Sequence, residues 1–142
     1  MYISDVLQRK GSYVASVESR STVRELLAEL AERNIGAVVV LTDRQPSGVV
    51  SERDIVRHLH AGGERVLDWP VSQIMATPIV TCTPKDTVDS VMVTMTERRV
   101  RHIPVIDNEQ LAGIVSIGDV VKHMIAKLET DREQLEAYIV KG

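Results

Sequence analysis

The chain has 142 residues, of which 44% are hydrophobic and 26% are charged, a balance typical of a soluble globular domain. Its net charge of −3 argues against a protein that grips a nucleic-acid backbone, and no run approaches the roughly 18 apolar residues that span a bilayer. The single cysteine, Cys82, excludes an internal disulfide framework, and the N-terminus lacks a signal-peptide pattern. We therefore expect a cytoplasmic protein with no nucleic-acid or membrane partner, in which Cys82 is a buried structural thiol.

The predicted elements come in the same order twice along the chain. Each copy has a short helix, a short apolar strand, a helix after a polar turn that ends at a suitable N-cap (Ser21 or Asp86), a pair of strands in a hairpin, and a last helix. In the first copy these elements are Ile3–Leu7, Val14–Val17, Thr22–Arg33, Ala37–Thr42, Gly48–Val50 and a helix that starts near Ser51. In the second copy they are Val71–Met75, Ile79–Cys82, Thr87–Arg98, His102–Ile106, Leu111–Val115 and a longer helix from about Gly118 towards Tyr138.

The two copies are also similar residue by residue. When residues 13–59 are compared with residues 78–124, twelve of the 47 pairs are identical without a gap, against roughly three expected from composition. The short helices align only with a different shift, so the first copy carries about three extra residues around Gln8–Ser12. The chain is therefore predicted to be an α/β (α+β) protein built from two tandem β-α-β-β-α repeats. The predicted organisation is a first repeat at 1–61, a connector at 62–70, a second repeat at 71–126 and a C-terminal helical extension at 127–142.

One motif joins the last strand to the last helix in both copies. The segments from Gly48 to Asp54 and from Gly113 to Asp119 both read Gly-aliphatic-Val-Ser-x-x-Asp. A helix N-terminus offers free N–H groups and partial positive charge, which suit a phosphate, and an ionised Asp accepts both hydroxyl protons of a ribose diol. The motif therefore predicts nucleotide binding. Ser-x-x-Asp is also a capping box, which needs no ligand, and both interpretations stay open.

The duplicated motif resembles a tandem pair of CBS (cystathionine β-synthase-like) repeats, as found in stand-alone two-repeat bacterial proteins. The strings from Ser51 to Arg57, from Met95 to Val105 and from Ser116 to Lys122 carry this resemblance, which covers essentially the whole chain. It implies two repeats packed as one module around a pseudo-twofold axis, with a cleft that binds AMP, ADP, ATP, NAD or S-adenosylmethionine in different members. The ligand-binding residues that it implies are Ser116, Asp119, Ile79, Arg101, His102 and Pro104 in one site, and Ser51, Arg53, Asp54, Val14 and Val38 in the other.

The two implied sites are not equivalent. Arg101 and His102 correspond to Gly36 and Ala37 of the first copy, so the second-repeat site has extra cationic donors and is favoured. We expect a non-catalytic regulatory module that binds an adenine nucleotide, dimerises and acts on an effector protein. The alternative is a structural or interaction protein whose motifs are only helix caps. No catalytic triad, Walker loop or metal-ligand spacing is present, so neither an enzyme nor a metal site is predicted.

Overall fold

The computed structural model describes residues 1–141 as a mixed α/β protein with two small sheets, as the repeats predict. In chain order the elements are α1 (Ile3–Lys10), β1 (Ser16–Glu18), α2 (Val23–Arg33), β2 (Ala37–Thr42), β3 (Gln45–Ser51), α3 (Glu52–Gly62), two 3₁₀ turns (Glu64–Asp68 and Val71–Gln73), α4 (Val88–Arg98), β4 (His102–Asp107), β5 (Gln110–Ser116) and α5 (Ile117–Lys141). The first sheet has the order β1-β2-β3 with β1 parallel to β2, and the second is the antiparallel hairpin β4-β5.

The structure corrects several predicted elements, among them the first strand, which was predicted over Val14–Val17 and lies at Ser16–Glu18. No strand forms over 79–82: only Cys82 meets β4, where its N–H donates to the Pro104 carbonyl (3.0 Å) and its carbonyl accepts from the Ile106 N–H (2.8 Å). The segment lies between Pro78 and Pro84, which have no N–H to continue a ladder. The N-caps of α2 and α4 are Thr22 and Thr87, one residue later than predicted, and their side chains accept the N–H groups of Glu25 and Ser90. The predicted helix over 71–75 is a single 3₁₀ turn.

Each pair of strands is closed by a two-residue turn with both residues in the left-handed region. These residues are Asp43 (φ 50°) and Arg44 (φ 67°) in the first hairpin, and Asn108 (φ 49°) and Glu109 (φ 66°) in the second. Two positive φ values are the signature of a type I′ turn, whose twist matches that of the flanking strands. The strands are therefore longer at the hairpin end than the sequence predicts.

The two repeats exchange their first helical segments. One core cluster combines Ile3 and Val6 of α1 with side chains of α4, β4, β5 and α5, while the other combines Val71 and Ile74 with α2, β2 and β3. The backbone makes the same exchange, because the Val88 N–H donates to the Met1 carbonyl (3.0 Å) just as Val23 donates to Trp69 (2.9 Å). The repeats are thus interlocked into one module, and neither core is complete without a segment of the other repeat.

Helix α5 continues far beyond the core. It runs to Lys141, and its side chains from Lys127 onwards are exposed. The last residue of the extension predicted at 127–142, Gly142, lies outside the described residues. Within residues 1–141 no helix is both long enough and apolar enough to cross a membrane.

Candidate ligand-binding cleft

The first Ser-x-x-Asp motif forms the N-terminus of α3. Ser51 is the N-cap, and its Oγ accepts the Asp54 N–H (3.4 Å) while the Asp54 Oδ2 accepts the Ser51 N–H (2.9 Å) and Oγ–H (3.0 Å). These reciprocal bonds make a capping box, as the sequence allowed. The carboxylate of Asp54 is part-buried and held by its own turn, at a helix end whose N–H groups favour an anion.

This helix end faces a cavity of about 590 Å³ between the two repeats. That volume falls within the range of roughly 300–1,000 Å³ that is usual for small-molecule sites. The lining residues are Gly36, Val49, Ser51, Glu52, Arg53, Asp54, Arg57 and Ala76 on one side, and Arg99, Val100, Arg101 and His102 of the second repeat on the other. The cavity therefore places the motif of the first repeat opposite the cationic segment of the second.

Four guanidinium groups surround this cavity. Arg53 and Arg57 lie one turn apart on α3, whereas Arg99 and Arg101 belong to the segment that joins α4 to β4. Among residues 1–141 none of the four is within 4.0 Å of a carboxylate, and all four are exposed. The acidic lining residues are Glu52 and Asp54. The cleft is thus locally cationic in a chain of net charge −3, which suits a ligand with several negative charges.

His102 lies between the two motifs. It starts β4, pairs with Ser116 on β5 and lines the cavity that contains Ser51 and Asp54. Burial lowers the pKa of His102, the Lys10 ammonium lowers it further, and the Asp119 carboxylate opposes them. The imidazole is therefore neutral at pH 7 and offers one donor and one acceptor to the cavity.

The second motif has a different surrounding. Ser116 and Asp119 bond to each other as their counterparts do, through Ser116 N–H to Asp119 Oδ2 (2.9 Å) and Asp119 N–H to Ser116 Oγ (3.2 Å). In addition, the Lys10 Nζ lies 2.6 Å from Asp119 Oδ2 and 2.8 Å from the Ile114 carbonyl oxygen. Burial alone would raise the pKa of Asp119, but the hydrogen bonds from Lys10 and Ser116 hold it below its ordinary value.

The structure groups the ligand-binding residues differently from the two sites that the resemblance implies. Ser51, Arg53, Asp54, Arg101 and His102 line one cavity, although the sequence placed Arg101 and His102 with the other motif. Ser116 and Asp119 lie outside this cavity, beside Lys10.

The other four ligand-binding residues that the resemblance implies, Val14, Val38, Ile79 and Pro104, do not line this cavity. Val38 and Pro104 are buried within β2 and β4, and Val14 and Ile79 are half-buried in the segments before β1 and before Cys82.

Three residues that bear on the site were missed by sequence reasoning. Arg57 was detectable, because it lies four residues after Arg53 on one helix face. Arg99 comes shortly before a predicted strand, where an arginine is usually a solvated edge residue. Lys10 falls in the predicted insertion around Gln8–Ser12, but nothing in the sequence links it to Asp119, 109 residues away.

Two interlocked α/β repeats, with a cationic cleft between them at a helix N-terminus, define a duplicated α/β module with a candidate binding site at the repeat interface. The family model for the CBS domain matches residues 3–61 and 71–126. The chain therefore belongs to the CBS domain family.

Known CBS proteins are similar over nearly the whole chain. The mitochondrial CBS domain-containing protein CBSX3 of Arabidopsis thaliana is 33% identical over 149 residues, which cover 99% of this chain and 72% of that protein. The crystal structure of the CBS-domain containing protein ATU1752 from Agrobacterium tumefaciens has a TM-score of 0.81 and 40% identity, and covers 85% of this chain and 91% of that one. The CBS domain protein PAE2072 from Pyrobaculum aerophilum, complexed with AMP, has a TM-score of 0.73 and 32% identity, and covers 84% and 89%.

Proposed function

We propose that this chain is a non-catalytic regulatory module that binds an adenine nucleotide in the cleft between its repeats. The observation that carries the proposal is the cavity that joins the α3 N-terminus to four arginines with no carboxylate partner among residues 1–141. Unpaired guanidinium groups around a concave site are the usual donors for phosphate oxygens. The AMP complex of PAE2072, a relative with 32% identity, supports the adenine-nucleotide class.

The ribose and the phosphates of the ligand each have groups suited to bind them. The Asp54 carboxylate would accept the two hydroxyl protons of the ribose, as an acceptor-only group. The first N–H groups of α3, together with Arg53 and Arg57, would bind the phosphates from the first repeat. Arg99 and Arg101 would bind them from the second repeat. Among AMP, ADP, ATP and NAD, four arginines favour the ligands with more than one phosphate, and they disfavour the cationic S-adenosylmethionine.

The regulatory part of the proposal rests on the position of the cavity between the repeats. A ligand held by α3 on one side and by the Arg99–His102 segment on the other favours one relative arrangement of the two repeats. It shifts the equilibrium between arrangements only by its difference in affinity for them. An effector protein, or a second copy of the chain, would bind preferentially to that arrangement.

A homodimer belongs to the same proposal. Large exposed apolar side chains recur along α5 at Val121, Ile125, Leu128, Leu135 and Ile139. They lie four, three, seven and four residues apart, which is the heptad spacing by which paired helices contact each other, with Arg132 at the one intermediate position. The family resemblance would instead imply dimer contacts through the helices at 22–33 and 87–98, but these expose fewer such side chains, so α5 is the better candidate. Sedimentation equilibrium of Ile125→Glu against the native chain tests this, since a dimer through α5 requires the variant to be monomeric.

The test of nucleotide binding is calorimetric titration of the purified chain with ATP, ADP, AMP, NAD and S-adenosylmethionine. We expect saturable binding of at least one adenine nucleotide, with ATP and ADP tighter than AMP. Asp54→Ala should abolish this binding. Thr22→Ala is the matched control, because it removes the N-cap of a helix away from the cleft and should lower stability by about 0.5–2 kcal/mol without loss of binding.

The alternative function is a structural or interaction module without a small-molecule ligand. The capping boxes at Ser51 and Ser116 favour it, because each motif is fully used as a helix cap. In that case no nucleotide binds, and Asp54→Ala and Thr22→Ala both merely lower stability. Retained nucleotide binding by Asp54→Ala would also contradict the site that we propose.

A further inference from the structure

The pseudo-twofold relation between the repeats is broken at one backbone carbonyl. In the first repeat the Val49 carbonyl accepts the backbone N–H of Ala76 at 2.9 Å. In the second repeat the equivalent carbonyl, that of Ile114, accepts the side-chain ammonium of Lys10 at 2.8 Å. A lysine side chain therefore replaces a backbone bond at this position.

The reason is the length of the exchanged segment. After the 3₁₀ turn Val71–Gln73 the chain soon becomes extended, and Ala76 forms a bridge with β3. Helix α1 instead continues to Lys10, so its N–H groups at this level are used within the helix and Gly11 N–H bonds back to Leu7. Within residues 3–11, therefore, no backbone N–H remains for the Ile114 carbonyl, and the long side chain of Lys10, the last helical residue, makes the bond.

The replacement has a direct effect on Asp119. The Lys10 ammonium lies 2.6 Å from Asp119 Oδ2, which also accepts the Ser116 N–H, so one of the two donors on that oxygen is a cation from the other repeat. The side chains of Lys10 and Asp119 are 31% and 22% exposed, which places the pair at the edge of the packed region. The counterpart carboxylate, Asp54, has donors only from Ser51 and has no cation within 4.0 Å among residues 1–141.

We infer that Lys10 determines how many nucleotides the module binds, by closing the Asp119 site with an ion pair while the Asp54 site stays open. This inference rests on the proposed function. A ribose diol at Asp119 competes with the Lys10 ammonium for the carboxylate, whereas both donors on Asp54 Oδ2 belong to its own capping box. A nucleotide that displaces the ammonium leaves both the Ile114 carbonyl and the lysine without partners. At Asp54 no such displacement is needed.

The number of ATP molecules bound per chain tests this role of Lys10. In calorimetric titration with ATP, the native chain should bind one equivalent per chain and Asp54→Ala none. Lys10→Met keeps the length and apolar stem of the side chain but removes its charge, and should bind a second equivalent. The double variant Lys10→Met/Asp54→Ala should bind one, now at Asp119. Lys10→Arg, which retains a cation, should behave as the native chain does.

The outcomes separate this inference from the proposed function. One equivalent for both the native chain and Lys10→Met overturns the role of Lys10 and leaves the proposed function intact. Two equivalents for the native chain, with one lost in Lys10→Met, also overturn it, because Lys10 then helps to bind the ligand. No binding by the native chain together with one equivalent for Lys10→Met overturns the Asp54 site and supports the role of Lys10. No binding by either chain overturns both.

A measurement on the native chain covers the case in which Lys10→Met does not fold. Trace acetylation with acetic anhydride, read by mass spectrometry, compares Lys10 with the exposed Lys85. An ammonium held by Asp119 and Ile114 should react at least several-fold more slowly than Lys85. Equal rates would mean that the ion pair does not persist in solution, and the inference would fail.

Discussion

Gly113 lies directly against Leu7, so that a Cβ added at Gly113 would be 2.6 Å from Leu7 Cδ2 and 3.2 Å from Leu7 Cδ1. The counterpart Gly48 has the same relation to the other exchanged segment, since its Cβ would be 2.7 Å from the Met75 sulfur and 3.1 Å from the Ala76 carbonyl oxygen. The glycine of each Gly-aliphatic-Val-Ser motif is therefore where a segment of the opposite repeat packs onto the strand. The exchange of helices and the duplicated motif are thus two parts of one feature.

The first prediction follows from this contact. Gly113→Ala should lower the free energy of unfolding by about 1–3 kcal/mol, because the added methyl group forces the Leu7 side chain out of its place. In a Leu7→Ala background the same substitution should lower the free energy of unfolding by clearly less. Urea denaturation of the native chain, the two single variants and the double variant measures both differences. Gly118→Ala is the control, since its nearest neighbour would be at 3.6 Å, and it should leave stability unchanged or slightly raised. Equal costs of Gly113→Ala in both backgrounds would contradict the assignment to Leu7.

The second prediction concerns the charge of the cleft. Arg57→Gln should weaken ATP binding by several-fold and AMP binding by less, because an AMP ligand has fewer phosphate groups within reach of α3. The affinity for ATP should also fall with added salt, and less steeply in Arg57→Gln. Arg24→Gln serves as the charge-matched control, because Arg24 pairs with Asp68 outside the cleft lining (3.4 Å). A loss of affinity that is equal for ATP and AMP would speak against a phosphate contact.

The third prediction concerns pH and the buried His123. The residue is 4% exposed, and its Nε2 has no hydrogen-bond partner within the described residues 1–141. Burial lowers the pKa of His123, assisted by the Arg9 guanidinium and opposed by the Asp5 carboxylate. The unfolded chain therefore takes up a proton near pH 6.5 that the native chain does not. The free energy of unfolding should fall as the pH decreases through about 6.5, as measured by urea denaturation between pH 7.5 and 5.5.

Substitutions test the assignment of this pH dependence. His123→Leu should make the dependence shallower, and the remainder should come largely from His102, whose pKa is also lowered by burial. His60→Leu is the control, because His60 is exposed on α3. A pH dependence that is unchanged in His123→Leu would show that His123 does not contribute.

The fourth prediction concerns Cys82, which is 6% exposed as the sequence led us to expect. Burial raises the pKa of its thiol to about 12, and the Asp86 carboxylate adds to this effect. Because the thiolate is the reactive form, Ellman's reagent should modify the native chain far more slowly than the unfolded chain at pH 8. If the thiol becomes accessible only when the native structure opens, saturating ATP should slow the reaction further. A ligand that binds the native state lowers the fraction of molecules that are open. Immediate modification of the native chain would contradict the burial of Cys82.

The repeat pattern was sufficient to predict most of the elements. The hydrophobic periodicity of α2 and α4 and the β-branched runs of β2 and β4 are local signals, and these elements lie within a residue of their predicted bounds. The prediction of a strand at 79–82 was wrong, because apolar composition alone does not say whether neighbouring backbone groups are available for pairing. The N-cap of α2 lies one residue later than predicted, because Ser21 and Thr22 are both acceptable N-caps and only the packing of the turn selects Thr22.

The sequence by itself determined the duplication, the mixed α/β class, the two Ser-x-x-Asp helix caps and the aliphatic core, because each depends on residues close together in the chain or on a direct comparison of the two copies. Only the tertiary structure decided which residues share a cleft. The exchange of α1 and the 71–73 turn between the cores brings Arg101 and His102 to Ser51 and Asp54, and brings Lys10 to Asp119. Such pairings depend on how the two repeats pack, and a local pattern holds no information about a neighbour more than a hundred residues away.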